Sequence, residues 1–284
     1  MNTPSRHKYE YTVDPEADTA AVRVVRMVGE CKRVLEVGSG PGSITRLLHE
    51  LGKCRVTALE LDQEAISKVS AYCDRVHQVD LNDGSWPRLL GDERFDVVLA
   101  ADVLEHLYQP LSALEAMGRL VNASGYVVVS LPHVGHASVA ACLVDEDFEY
   151  REWGLLDRTH IRFFGIKNMQ SLFECAGLKI VAAEFVVRHP EETEFAQRWL
   201  TLAKDLQKAL LSNPFGMVYQ VVIKAVPEGR ADQPVLLMSM QVQQTSRSSQ
   251  TLWRARIKNK IRKYISSDVE QFILRCARRA GIRF

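Results

Sequence analysis

Val34-Leu35-Glu36-Val37-Gly38-Ser39-Gly40-Pro41-Gly42-Ser43-Ile44-Thr45 is the stretch that decides the fold. Its first residues read as a buried strand, its glycines as a turn, and Ser43 onward as the start of a helix. Glycines at alternate positions let the backbone pass close to a ligand with no Cβ in the way. Twenty-two residues after Gly38, the strand-like run Arg55-Val56-Thr57-Ala58-Leu59 ends in Glu60. A carboxylate at that strand tip can take both hydroxyls of a ribose, so the pairing points to a bound nucleoside. Dinucleotide sites share the layout but use G-x-G-x-x-G. Here the spacing is G-x-G-x-G, and Pro41 lacks the amide that a pyrophosphate would use. Glu36, just before the glycines, would repel a diphosphate and suits a cation. S-adenosylmethionine (SAM) offers a nucleoside, an ammonium and a sulfonium, and carries no phosphate.

Three more segments follow in order. Arg75-Val76-His77-Gln78-Val79-Asp80 reads as a strand ending in an acid. Asp80 either binds or closes a turn. Phe95-Asp96-Val97-Val98-Leu99-Ala100-Ala101-Asp102 is a short unbroken apolar run before an acid, as expected of a parallel strand covered on both faces. A helix near Leu111–Leu120 and a strand over Gly125–Leu131 complete the set. Together they resemble the class I SAM-dependent methyltransferases. The first motif of that family, E/D-x-G-x-G-x-G, falls on Glu36, Gly38, Gly40 and Gly42, and the fourth on Phe95–Leu107. The resemblance implies an α/β fold: a Rossmann-like, seven-stranded, mostly parallel sheet with helices on both faces, its last two strands antiparallel at one edge. It implies SAM as cofactor. Gly38, Ser39, Gly40 and Gly42 would shape the methionine site and Glu36 would attract the ammonium. Glu60 and Leu61 would hold the ribose, Asp80 and Leu81 would flank the adenine, and Asp102 would lie at the cleft edge.

With 46% hydrophobic residues in a chain of 284, there is material for one large domain with an appendage. No run approaches the ~20 apolar residues that span a bilayer. The start, Met1-Asn2-Thr3-Pro4-Ser5-Arg6, has no apolar signal segment, so a cytoplasmic location is expected. The six cysteines form no C-x-x-C pair, which argues against a cysteine-built zinc site. Net charge is only +1, yet residues 228–284 carry 12 Lys and Arg against 4 Asp and Glu. An acidic body and a basic tail therefore share one chain. Nucleic acid is not an expected partner, because the body is acidic and the fourth motif lacks an N/D-P-P-Y/F end.

Along the chain, Ala17–Val28 reads as a helix stopped by Gly29. Alternating strands and helices from Arg33 to Leu131 imply right-handed crossovers. Pro132–Phe164 has few periodicities, as a lid or binding loop would. Ile166–Ala176 reads as a helix, Leu178–Val187 as a strand, Pro190 to about Leu211 as a helical stretch, and Gly216–Val226 as a final strand. Three divisions are expected: a methyltransferase domain over 1–227, a polar linker over 228–250, and a basic amphipathic helical tail over 251–284. The tail suits either a membrane surface or protein partner, or packing on its own body or on a second subunit of a homodimer.

Methyl transfer to an alcohol needs a base at neutral pH, and histidine is the usual choice. His106, His133, His136 and His160 are the candidates, with His136, His160 and His133 taken as the catalytic set. Each has a structural alternative, a ring bonded to backbone carbonyls. The run Pro132-His133-Val134-Gly135-His136 and the run Leu156-Asp157-Arg158-Thr159-His160 extend the resemblance to a methyltransferase group associated with bacterial glycosyltransferases and surface polysaccharides. That implies O-methylation of a sugar or glycan acceptor in polysaccharide biosynthesis, with a glycosyltransferase as partner. A quinone, phenol or amine acceptor is the alternative, as is a non-catalytic partner protein. The adjacent Glu105-His106 pair alone is too few ligands for a metal, so none is expected.

Overall fold

The computed structural model of the chain describes residues 8–230 and 233–242. From the amino terminus the elements are α1 (Ala20–Val28), β1 (Arg33–Val37), α2 (Ser43–Glu50), β2 (Arg55–Glu60), α3 (Gln63–Val69) and β3 (Arg75–Gln78). Then come β4 (Phe95–Ala101), α4 (Pro110–Leu120), β5 (Val121–Pro132), α5 (Ala137–Val144) and α6 (Ile166–Cys175). The chain continues with β6 (Leu178–Val187), α7 (Ala196–Thr201), α8 (Lys204–Leu211) and β7 (Val218–Pro227). The seven strands form one sheet ordered β3-β2-β1-β4-β5-β7-β6. Pairs β3–β2, β2–β1, β1–β4 and β4–β5 are parallel, and β7 runs antiparallel to β5. This is the mostly parallel Rossmann-like sheet that the glycine-loop stretch implied.

Strand order reverses at β1, whose neighbours are β2 and β4. The tips of those strands carry Glu36, Glu60 and Asp102, so the topology brings three distant acids to one edge. Strands β1 and β4 are apolar because both faces are covered: on one, Val34, Val97 and Leu99, with Val128 of β5, pack with Val24 and Val28 of α1 and Leu48 of α2, and on the other Leu35, Val37, Val98 and Ala100 are fully buried.

The described chain divides into two compact units. One holds residues up to 135, 150–186 and 218–241, and so holds the sheet. The other holds 136–149 and 187–217, where Ala137, Ala141 and Trp199 form a small core.

Several boundaries differ from the sequence expectations. Helix α1 starts at Ala20, because Thr19 caps it by accepting from the Val22 amide at 3.3 Å, and Asp18 instead pairs with Arg23. The stretch from Pro190 to Leu211 is broken in two places. The buried Gln207 side chain donates to the carbonyls of Trp199 (2.7 Å) and Leu202 (3.2 Å), satisfying groups that a continuous helix would use internally. Packing also runs past Pro227. The Val235 amide donates to the Ile180 carbonyl at 2.7 Å, and the buried Leu237 bonds through its amide to Gln170 Oε1 at 3.0 Å. The rest of the expected linker and the basic tail over 251–284 lie outside the described residues.

Candidate active site

A cavity of about 480 Å³ opens at the carboxyl ends of β1, β2 and β4, within the ~300–1,000 Å³ usual for small-ligand sites. Glu36, Gly38, Ser39, Gly40, Glu60 and Asp102, six of the residues expected at the cofactor site, line it. Asp62, Val103, His106 and Thr159 line it too, and Lys8, Tyr9 and Tyr11 reach it from the amino-terminal segment.

The glycine collar is divided in function. A Cβ on Gly38 would sit 2.7 Å from Val103 Cγ2, and one on Gly42 would sit 3.0 Å from Val69 Cγ2. Those two glycines allow close packing within the protein. Gly40 (φ 53°) has nothing within 4 Å of its missing Cβ, so it is the position that leaves room for a ligand.

Glu60 is held by backbone amides: Oε2 accepts from Gly40 at 2.6 Å, and Oε1 from Leu61 at 2.8 Å and Asp62 at 2.9 Å. Oε1 already accepts two bonds and Oε2 one, which leaves a lone pair on Oε2 for a hydroxyl. Replacing Glu60 by alanine is expected to weaken SAM binding about 10–100-fold, the range for hydrogen bonds to a charged group, as read by calorimetric titration. Unchanged affinity would remove Glu60 from the ribose site.

Glu36 is buried and accepts from the Thr45 hydroxyl at 2.6 Å. Burial pushes its pKa up to about 8, the Thr45 bond opposes the rise, and neighbouring Glu60 adds to it. Asp102 follows β4 in the left-handed region (φ 55°) and accepts from Ser130 Oγ at 2.8 Å and Gln220 Nε2 at 2.5 Å. Asp80 is exposed and accepts from the Asn82 amide at 2.9 Å, the turn geometry that was its alternative reading. Of the residues expected to bind the cofactor, Gly42, Leu61, Asp80 and Leu81 do not line the cavity.

The histidines separate clearly. His133 is buried, with Nδ1 2.9 Å from the Val218 carbonyl. His136 caps α5 in the second unit, with Nδ1 against Ser138 and Nε2 2.9 Å from the Arg188 carbonyl. Both thus have the structural bonding pattern. His160 is buried behind the cavity wall, its Nδ1 3.2 Å from the Leu155 carbonyl, and burial foremost pulls its pKa down to about 4. His106 lines the cavity itself. Its Nδ1 lies 3.1 Å from both the carbonyl and the hydroxyl of Thr159. A carbonyl only accepts, so Nδ1 carries the proton and Nε2 is the basic nitrogen. Burial lowers the pKa of His106, only partly offset by Thr159, Asp157 and Asp102, which leaves it neutral and able to take a proton.

Glu105 is fully buried, and neither carboxyl oxygen has a hydrogen-bond partner among the described residues. Burial holds it protonated well above the ordinary carboxyl range. The donor atoms of Glu105, His106 and His160 lie within 4.8 Å of one another, and His160 Nε2 is 3.9 Å from Glu105 Oε1, beyond hydrogen-bond range. Sequence reasoning counted His106 but did not choose it. The signal was present: it ends the one-turn helix Leu104–His106 directly after the cleft acid Asp102.

A switch-point cavity with a glycine collar, a strand-tip carboxylate and a neutral imidazole is the arrangement of a ligand-binding α/β enzyme. The chain belongs to the methyltransferase domain family, whose profile spans residues 14–183. It is similar to a ubiquinone biosynthesis O-methyltransferase of Bradyrhizobium diazoefficiens, 28% identical over 189 residues, 66% of this chain and 72% of that protein. An uncharacterized methyltransferase of Schizosaccharomyces pombe is 26% identical over 143 residues, 47% of this chain and 50% of that protein. Among solved structures, a SAM-dependent methyltransferase of Thermotoga maritima, described as a possible histamine N-methyltransferase, superposes with a TM-score of 0.51. That match is 18% identical and covers 73% of this chain and 87% of that one, which shows the shared fold. The protein is a SAM-dependent methyltransferase. The residues fit that cofactor: an open glycine at position 40, a buried acid at 36 suited to a cation, and a carboxylate at 60 whose Oε2 keeps a lone pair.

Proposed function

We propose that the protein is an O-methyltransferase acting on a hydroxyl of a small molecule, with His106 as the general base. The observation that carries this reading is the presence of His106, neutral and held in one tautomer by Thr159, on the wall of the cavity that Glu36, Gly40 and Glu60 also line. When bound, the cofactor supplies an electrophilic methyl group on a sulfonium. Glu36 would face its cationic end and Glu60 its ribose. His106 Nε2 would take the proton from the acceptor hydroxyl as that oxygen is methylated. Tyr9 and Tyr11 narrow the opening and limit water.

A phenolic hydroxyl is the favoured acceptor. Relatives named for ubiquinone biosynthesis are O-methyltransferases by name, and a phenol needs only one modest base. The glycan acceptor, the glycosyltransferase partner and the role in polysaccharide synthesis rest on the motif resemblance alone. The membrane or dimer role of the tail rests on residues outside those described. No helix among the described residues is long and apolar enough to cross a membrane, and a cytoplasmic place remains part of the reading.

The test incubates the full chain with SAM and measures S-adenosylhomocysteine release with catechol, a methyl glycoside or an alkylamine. Release with catechol supports the reading. Release with the glycoside alone restores the sugar acceptor, and release with the amine alone overturns O-transfer. Turnover is expected to survive dialysis against EDTA. A loss that zinc or magnesium restores would reassign the Glu105–His106–His160 cluster.

A further inference from the structure

Asp157 is almost fully buried and collects contacts from two ends of the chain. Its Oδ1 accepts from the Thr159 amide at 2.9 Å, the Thr159 hydroxyl at 2.7 Å and Lys8 Nζ at 3.1 Å. Its Oδ2 accepts from Tyr9 OH at 3.4 Å. The phenol also lies 3.1 Å from Thr159 Oγ1. Thr159 in turn holds His106 through its carbonyl and its hydroxyl, each 3.1 Å from Nδ1. Tyr9 is therefore two hydrogen bonds from the base and Lys8 three, although 149 residues separate Lys8 from Asp157 in sequence.

We propose that Lys8, Asp157 and Thr159 are positioning residues for His106, so that docking of the amino-terminal strap over the cavity and readiness of the base are one event. This rests on the reading of His106 as base. With the strap docked, the Lys8 ammonium neutralises Asp157, and His106 sees a balanced pair. With the strap away, an unpaired buried carboxylate faces the ring and favours the imidazolium, which cannot accept a proton. The same movement that uncovers the cofactor site thus disarms the base, and turnover without an enclosed cavity is suppressed. The other charged or titratable groups around His106 are Asp102 and Glu105 from the end of β4 and its turn, and His160 and Tyr9. None of these bonds Lys8 except through Tyr9, whose ring centroid lies 4.8 Å from Nζ.

The experiment is an NMR titration of the His106 ring in the full chain, its resonance assigned by loss in His106→Gln. Lys8→Met is expected to raise the His106 pKa, and Asp157→Asn to lower it, each by about half to one unit. Lys8→Arg is expected to restore the wild-type value. Opposite shifts are the signature, since a purely structural disturbance gives no reason for opposite signs. Shifts of the same sign, or none above about 0.2 unit, overturn the proposal. Calorimetric SAM binding checks that each variant is folded. If Asp157→Asn is not, Lys8→Met and Lys8→Arg decide alone. S-adenosylhomocysteine release by His106→Gln tests the base separately. Retained turnover there removes the base reading even if the shifts are found, whereas lost turnover without shifts removes only the coupling.

Discussion

His106→Gln is expected to lower turnover by about 10²–10³-fold while leaving SAM affinity within a factor of about two, because positioned general bases contribute on that scale. Glutamine keeps the size and a hydrogen bond to Thr159 but offers no basic nitrogen. The ring lines the cavity with Thr159, and neither the glycine collar nor Glu60 bonds to it. The check is a pair of measurements on one preparation: calorimetric SAM titration and S-adenosylhomocysteine release with catechol. His160→Gln should have a smaller effect, since His160 sits behind the wall and is outside the cavity lining. Weakened SAM binding with normal turnover at saturation would show His106 to be a cofactor residue instead.

Glu36→Gln should produce two large effects of opposite sign. In the cofactor-free protein Glu36 has its pKa near 8, so at pH 7 it is mostly protonated. A cation favours the carboxylate, so SAM binding should release close to one proton per site at pH 7 and strengthen by up to tenfold per pH unit until about pH 8, then level off. Calorimetry in buffers of different ionisation enthalpy reads that proton directly. The glutamine variant should lose both the proton release and most of the affinity at pH 8.5. Its stability should move the other way. The carboxyl is raised from the usual 4.5, so the folded state binds more protons than the unfolded one between about 4.5 and 8, and stability falls as pH rises through that window. Removing the titration should stabilise the cofactor-free protein by about 4–5 kcal/mol at pH 8 and above, seen as a higher melting temperature. A pH-independent affinity in the wild type would sink the assignment of Glu36 to the ammonium.

Much of this could be read from residues alone. The β1–glycine–α2 unit, the acids at strand tips and the parallel order follow from short apolar runs bounded by Gly and Asp, whose meaning is local. The break between α7 and α8 was not legible, because the residues there include no Pro or Gly. It depends on where the Gln207 side chain finds its carbonyls. The choice among histidines was not legible either. His106 reaches the cavity because Asp102 turns the chain through a left-handed conformation that aspartate only occasionally adopts. His133 and His136 lie near a strand end, as spacing suggested, yet their rings are committed to carbonyls that β7 and the segment before Pro190 supply. Side-chain direction after a strand is settled by such distant partners, which a linear reading does not contain.

The contact between Gly38 and Val103 has a consequence for how damage spreads. The collar and the loop bearing the histidine are wedged together with no slack, so any bulk at residue 38 must shove Val103 aside. Three positions downstream of that valine stands the imidazole. A lesion in the glycine collar would therefore surface as faulty chemistry at the imidazole, and a survey of position 38 by kinetics would gauge both at once.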